Sequence, residues 1–293
     1  MPAQASLIDG PDALCDALAG DVDWPAQTLR GATRVDTGRR ESRLECVAEE
    51  VPVALVYNGI SHAVMLASPI DLEDFGLGFS LSEGIIAQAS ELYETETRQH
   101  AGGIEVHLHI GNRAFDALKS RRRSLAGRTG CGLCGVDSLA QVTRPVARVA
   151  ARAQADEHAI HRAFVQLSQH QALHALTGAV HAAAWATPDG KLLRVREDVG
   201  RHNALDKLIG AIARAGHDPA QGFAIVTSRA SYEMVLKLAS VGGGLLAAIS
   251  APTGMAVDLA ARTGVTLCGF VRDRQMVIYN NAATDSTRPQ EID

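Results

Sequence analysis

The chain predicts an α/β fold, a layered sheet with flanking helices, preceded by a smaller β-rich part. Three observations carry this. The second half alternates strand-like and helix-like segments, "GFAIVTS", "ASYEMVLKLASVG", "GLLAAIS", "PTGMAVDLAARTG" and "VTLCGFVR", the pattern of a sheet with parallel pairs. The first half carries period-two runs such as "GIEVHLHI", which read as strands. With 46% hydrophobic and 21% charged residues in 293, the composition suits a globular core in one large domain or two modest ones.

Taken in order, residues 1–35 are expected to be a flexible leader, opening on Ala, Asp and Pro with weak periodicity. Residues 36–135 form the N-terminal β-rich part, which ends in a CxxC loop. Here "VPVALVYNG" and "SHAVMLAS" pair around Asn58-Gly59, a strong hairpin signal. In "SPIDLEDFGLGFSLSEGII", Ser68 is placed as a helix N-cap, with Pro69 at the first helical position and acids in the first turn. His107 and His109 alternate with Val106 and Leu108 and go to the outer face of their strand. "KSRRRSLAGRTGCGLCG", Lys119 to Gly135, is basic and glycine-rich and reads as an exposed loop.

Residues 136–280 form the α/β domain. "QVTRPVARVAARAQADEHAIHRAFVQLSQHQALHALTG" predicts one or two helices closing at Gly178, and "AVHAAAWATPDGKLLRVRED" a hairpin turning at Pro188-Asp189-Gly190. "RHNALDKLIGAIARAG" is an amphipathic helix with Leu205, Leu208, Ile209 and Ile212 on one face, stopping at Gly216. After the alternating segments come a short strand, "QMVIYN", and a polar tail over 281–293. Cys268 falls on a strand and reads as a small core residue.

A net charge of −5 argues against bulk nucleic-acid binding, which shows a basic footprint. No apolar run is long enough to cross a bilayer. "MPAQASLIDGPDALCDALAG" puts acids where a signal peptide carries a basic start. A cytoplasmic location is therefore expected, and in that reducing compartment structural disulfides are not. Of five cysteines, Cys15, Cys46 and Cys268 are scattered. Only Cys131 and Cys134 form a local pair.

That pair sits on loose backbone, with Gly130, Gly132 and Gly135 around it and Arg121, Arg122, Arg123 and Arg128 upstream. Nearby cations lower a thiol's pKa, and glycines give a large partner access. The spacing leaves three readings open. One is a disulfide oxidoreductase, although the surroundings do not resemble a thioredoxin-like unit. Another is structural zinc, which needs four ligands and hence a second subunit's pair. The last is a carrier holding sulfur as a persulfide.

Longer strings follow: "TGAVHAAAW", "REDVGRHNALDKLIG", "TSRASYEMVLKLASVGG", "SAPTGMAVDLA" and "GFVRDRQMVIYN". "EDVGRHNALDK" downstream of "GCGLCG" resembles the formate dehydrogenase accessory sulfurtransferases, the FdhD family, over about residues 40 to 280. The resemblance implies a cytidine-deaminase-like fold and a homodimer. It implies sulfur taken from a cysteine desulfurase as a persulfide on Cys131, with Cys134 assisting or resolving. The sulfur passes to the molybdenum (or tungsten) bis-pterin guanine dinucleotide cofactor before that cofactor enters formate dehydrogenase. The cofactor-contacting stretch carries onto Phe270, Val271, Arg272, Asp273, Arg274 and Gln275, where members often have a glycine between the charged residues. The alternatives are a dithiol–disulfide oxidoreductase, or a non-enzymatic cofactor chaperone whose CxxC joins subunits through zinc.

The remaining candidates are weighed beside this. Thr227, Ser228 and Arg229 lie at a strand's carboxyl end, where open α/β sheets bind ligands, and the start of the "PTGMAVDLA" helix offers amides to an anion. His181 would match a deaminase-like metal histidine. Ala183 stands where the deaminase Glu belongs, and no PCxxC follows, so no catalytic zinc is expected. Arg201, His202 and Asn203 either initiate a helix or contact guanine or phosphate. Asp206 and Lys207 are a solvated pair or a buried fixing contact.

Overall fold

A computed structural model describes residues 24–123, 146–150 and 155–280. Cys131 and Cys134 lie outside the described residues, as do the expected leader before residue 24 and the polar tail.

Strands β1 (Gln27–Asp36) and β2 (Arg39–Ala48) form a two-stranded antiparallel ribbon. The expected leader therefore ends early: from Gln27 the chain is a strand. The cause is a partner the weak periodicity conceals. Thr37 and Gly38 turn the chain with positive φ (40° and 89°), and β2 then pairs along the whole length of β1.

A four-stranded sheet follows, in the order β4-β3-β6-β5. Strands β3 (Val51–Tyr57) and β4 (Ile60–Ala67) are the expected hairpin, with Asn58 and Gly59 at φ 46° and 83°. Strand β6 (Gly103–Ile110) lies parallel to β3 and antiparallel to β5 (Leu92–His100). Val106 and Leu108 are buried and His109 is exposed, as alternation predicts. Strand β5 was not expected. "LYETETRQH" is largely polar because it is an edge strand with mostly exposed side chains.

Helix α1 (Leu72–Ser82) covers one face of this sheet with Phe75, Leu77 and Phe79. It begins later than predicted. Asp71, in the left-handed region at φ 52°, is the N-cap, not Ser68. Ser68 is fully buried and has a different task, described below. Helix α2 (Asn112–Arg123) corrects the expected loop at its start, since Lys119 to Arg123 are helical. Leu118 anchors this helix in the core, and the Lys119 ammonium lies 4.8 Å from the Phe115 ring centroid.

The second sheet has six strands in the order β12-β11-β10-β9-β7-β8. Strands β7 (His181–Ala186) and β8 (Leu192–Asp198) form the expected hairpin. Strands β9 (Phe223–Val226), β10 (Leu245–Ala248) and β11 (Thr266–Arg272) run parallel to one another. Strands β7 and β12 (Gln275–Asn280) flank them antiparallel.

Two faces alternate along each strand. Ala183 and Trp185 join the core beneath α5 (Arg201–Arg214), α6 (Tyr232–Ser240) and α7 (Gly254–Thr263). Ala182, Ala184, Ala186 and Cys268 join the core beneath α3 (Glu157–Leu167). Cys268 is 1% exposed, the core residue expected. The short helix α4 (Ala172–Thr177) closes at Gly178 in the left-handed conformation, as predicted.

The two sheets meet through α1 and α5, which cross at glycines. A Cβ on Gly78 would stand 1.7 Å from the Asp206 carbonyl oxygen, and one on Gly210 would stand 1.9 Å from that of Asp74. No side chain fits either position, so backbone approaches backbone.

Candidate functional site

The sheet topology gathers the candidate residues on one edge. Strands β9 to β11 are parallel, so their carboxyl ends share that edge. Strand β7 is antiparallel to β9, so its first residue, His181, lies there as well. Strand β8 is antiparallel to β7 and ends there at Asp198, which pairs with His181. The edge thus carries His181, the start of α5, Thr227 to Arg229, the turn before α7, and the β11–β12 turn. This is where open α/β sheets bind ligands.

At one end of the edge, Arg272 and Gln275 close a tight turn over Asp273 and Arg274. Both central residues have positive φ, 52° and 61°, the conformation that favours glycine. Phe270 also has positive φ, 54°, and its N–H donates to the Ser250 carbonyl at 3.2 Å. Three of six consecutive residues therefore hold backbone that L side chains rarely adopt. Phe270, Arg272, Asp273, Arg274 and Gln275 are exposed. Val271 is 1% exposed and packs into the α3-side core, so its side chain is not available for a contact.

At the other end, the polar side chains of "EDVGRHNALDK" are mostly latches. Glu197 caps α4, accepting from the Leu173 and His174 N–H groups, both at 2.9 Å. Its burial raises its pKa. Asp198 is fully buried and saturated. One oxygen accepts from the Gly200 N–H at 2.7 Å and Asn203 Nδ2 at 2.9 Å, the other from the Ser68 N–H at 3.0 Å and Lys207 Nζ at 2.6 Å. Asn203 also donates to the Leu66 carbonyl, and Lys207 to that of Ser68. The Ser68 hydroxyl accepts from the Val199 N–H. Asp206 accepts from Ser82 Oγ at 2.6 Å and pairs with Lys237 at 2.9 Å. Asp206 and Lys207 are thus buried fixing contacts rather than a solvated pair. Asn203 is likewise structural, holding the first sheet against the second.

Arg201 and His202 remain. His202 Nε2 pairs with Glu233 Oε2 at 2.6 Å, and this contact holds the Glu233 carboxyl below its usual range. Arg201 has a buried Nε without a hydrogen-bond partner among the described residues. Half-burial depresses the His181 pKa, and the nearby Arg201, His174 and His202 depress it further. Ser231, the N-cap of α6, makes no side-chain capping bond, and its buried hydroxyl is also without a partner among the described residues.

Thr227 is committed to the sheet, its hydroxyl accepting from the Ala182 N–H at 2.9 Å. The buried Ser228 donates to the Arg229 carbonyl, and Arg229 is exposed. At α7 the Thr253 side chain caps the Ala256 N–H. His174, Glu233 and Ser231 escaped the sequence reading. They join the site only through folding, and no local motif marks them.

A separate depression of about 590 Å³ lies between α1, β8 and α5. Its charges neutralise one another, Arg196 with Asp74 and Arg214 with Glu73, both at 2.6 Å.

Residues 48–284 match the model of the FdhD/NarQ family. The Sulfur carrier protein FdhD of Cupriavidus necator is 58% identical over 265 residues, covering 90% of this chain and 91% of that protein. The Sulfur carrier protein FdhD of Chromobacterium violaceum is 54% identical over 254 residues, 86% and 92% of the two chains. The crystal structure of a Desulfotalea psychrophila protein, provisionally assigned as a formate dehydrogenase accessory protein, superposes with a TM-score of 0.70 at 25% identity. It covers 87% of this chain and 97% of that one. Among the described residues no helix is long and apolar enough to cross a membrane.

Proposed function

This chain belongs to the FdhD/NarQ family, and from that premise we propose that it is a sulfur carrier supporting formate dehydrogenase. The observation that carries the reading is the Cys131-Gly-Leu-Cys134 pair within a chain so similar to proteins named sulfur carriers.

The chemistry follows from thiol exchange. The Cys131 thiolate attacks the outer sulfur of a persulfide on the donor, a cysteine desulfurase. The S–S bond of the donor breaks, its cysteine leaves as thiolate, and Cys131 carries the sulfane sulfur. Cations close to a thiol favour its thiolate form, and Arg121, Arg122, Arg123 and Arg128 precede Cys131 in the sequence. The carried sulfur then passes to the molybdenum bis-pterin guanine dinucleotide cofactor, the substrate of the transfer. Cys134 attacks the inner sulfur of Cys131–S–SH, expelling the outer sulfur as hydrosulfide and leaving a Cys131–Cys134 disulfide. A cellular dithiol reduces this disulfide before the next round.

The cofactor is polyanionic. Arg272 and Arg274, exposed on the β11–β12 turn, suit its phosphates, since guanidinium groups bind phosphate bidentately. Asp273 and Gln275 present polar groups and Phe270 an apolar ring on the same turn, while Val271 contributes only backbone. The carrier acts as a homodimer in the cytoplasm.

Intact-mass measurement after incubation with a cysteine desulfurase and cysteine tests the reading. The protein gains the mass of one sulfur atom, loses it on reduction, and gains nothing as Cys131→Ala. Equal labelling of that variant would overturn the carrier role.

A further inference from the structure

We propose that the acidic leader, residues 1–23, docks along the apolar face of the β1–β2 ribbon. The inference stands on observations outside the sulfur-carrier reading.

The pairing register sorts the ribbon's side chains onto two faces, because directly opposed residues of an antiparallel pair share a face. On one face Leu29 stands opposite Cys46, Leu44 opposite Gly31 and Val35 opposite Arg40. The other face is charged, with Arg30 opposite Glu45 and Arg34 opposite Glu41. In an antiparallel sheet such alternation marks one side packed and one side in water. The apolar side is nonetheless open, with Leu29 40%, Val35 60% and Leu44 64% exposed. A contiguous exposed apolar patch marks an interaction site.

The ribbon also needs a support. A two-stranded hairpin by itself is marginally stable in water. This one is buried at its base, at Ala26 and Gln27, while residues 29–36 and 39–44 are exposed throughout.

Charge selects the occupant. The ribbon carries five arginines against three acids. Arg30 pairs with Glu49 at 2.8 Å and Arg43 with Glu45, but Arg34, Arg39 and Arg40 form no ion pair among the described residues. Residues 1–23 carry five aspartates and no lysine or arginine, with Leu14 and Leu18 four apart. They supply both the apolar groups and the negative charge that the ribbon lacks. The tail over 281–293 has a single large apolar residue, Ile292. A second copy would bring another ribbon of the same sign, and like charges facing each other oppose association.

The leader also starts from the right place and has the right reach. The described chain begins at Trp24, whose indole N–H donates to the His100 carbonyl at 3.3 Å, two residues before the buried base of the ribbon. Each strand has ten residues, a length of about 34 Å. Twenty-three residues span about 35 Å as a helix and more when extended. In either conformation the leader covers the face from base to tip.

The test is hydrogen exchange of the full chain, read by mass spectrometry in the leader and in the ribbon. In the wild-type protein the leader amides should exchange more slowly than an unstructured chain. Leu14→Ser combined with Leu18→Ser should speed exchange of the ribbon amides about ten-fold, since exchange follows local opening, and leave β3 and β4 unchanged. Arg40→Glu should in turn speed exchange of the leader. The leader variant keeps the ribbon sequence intact, so the test survives if Arg40→Glu disrupts the hairpin.

Unprotected leader amides in the wild-type protein, or ribbon rates unaffected by the leader variant, overturn the proposal. So does a dimer that Leu44→Asp dissociates, measured by light scattering, while the leader variant alters nothing. The apolar face would then belong to a second copy.

Discussion

The Asp198 carboxylate and the Lys207 ammonium meet at 2.6 Å with neither side chain exposed to solvent. Ser68, which directly follows β4 of the other sheet, donates its N–H to the same carboxylate and accepts from the same ammonium. This pair is therefore a clasp between the two halves of the molecule. Lys207→Met leaves a buried carboxylate without its counter-ion and should cost about 3–5 kcal/mol. Urea unfolding followed by circular dichroism measures it, and a loss under 1 kcal/mol would deny the clasp.

The α1–α5 crossing makes an equally definite demand. In an isolated helix, glycine to alanine stabilises by about 1 kcal/mol. Here Gly78→Ala or Gly210→Ala places a methyl group inside a neighbouring backbone oxygen's radius, so the sign reverses. Each variant should lower stability by about 1–3 kcal/mol through overpacking. Thermal melts of the two alanine variants decide between the signs.

The β11–β12 turn permits a substitution in the opposite direction. Arg274 sits at φ 61°, a conformation costing an L residue about 1–2 kcal/mol relative to the right-handed helix region. Arg274→Gly should raise the melting temperature while removing a cation from the proposed cofactor contact. More stable protein with weaker cofactor binding is the expected combination. Unchanged stability would show that the turn relaxes in solution.

His181 supplies a pH test. Burial first, and Arg201 second, hold its pKa below the usual 6.5. The unfolded chain therefore binds the proton more readily than the native one. That contribution to stability is complete above the unfolded value and is lost as pH falls from 6.5 through the lower native value. His181→Gln should flatten the fall in urea midpoint over this acidic range. Parallel curves for the variant and wild-type chain would count against the assigned environment.

The two cysteines should separate by turnover. Cys131→Ala abolishes sulfur loading. Cys134→Ser still loads Cys131 but accumulates the persulfide and slows repeated transfer, because the resolving attack is lost. Multiple-turnover assays with a dithiol present distinguish the roles, and a wild-type rate in Cys134→Ser would exclude resolution by that thiol.

How much was legible in sequence depended on whether a signal was local. The alternation of "VPVALVYNG" and the Asn58-Gly59 turn predict the β3–β4 hairpin correctly, because strand periodicity and turn chemistry act between near neighbours. The helix of Arg201–Arg214 is legible for the same reason. Ser68 misled because it resembles a cap next to Pro69, while its partners are Asp198, Val199 and Lys207, at least 130 residues away. Strand β5 was missed because an exposed edge requires no apolar alternation.

The sequence by itself determined the fold class, the family and the sulfur pair, all written in contiguous strings. Only the tertiary structure decided which residues of "EDVGRHNALDK" hold the halves together. It also put Val271 in the core and brought His181, Ser231 and Glu233 to one edge. The physical reason is that burial and the satisfaction of hydrogen bonds are properties of pairs. Whether a charged side chain is a latch or a ligand contact depends on what the chain folds against it.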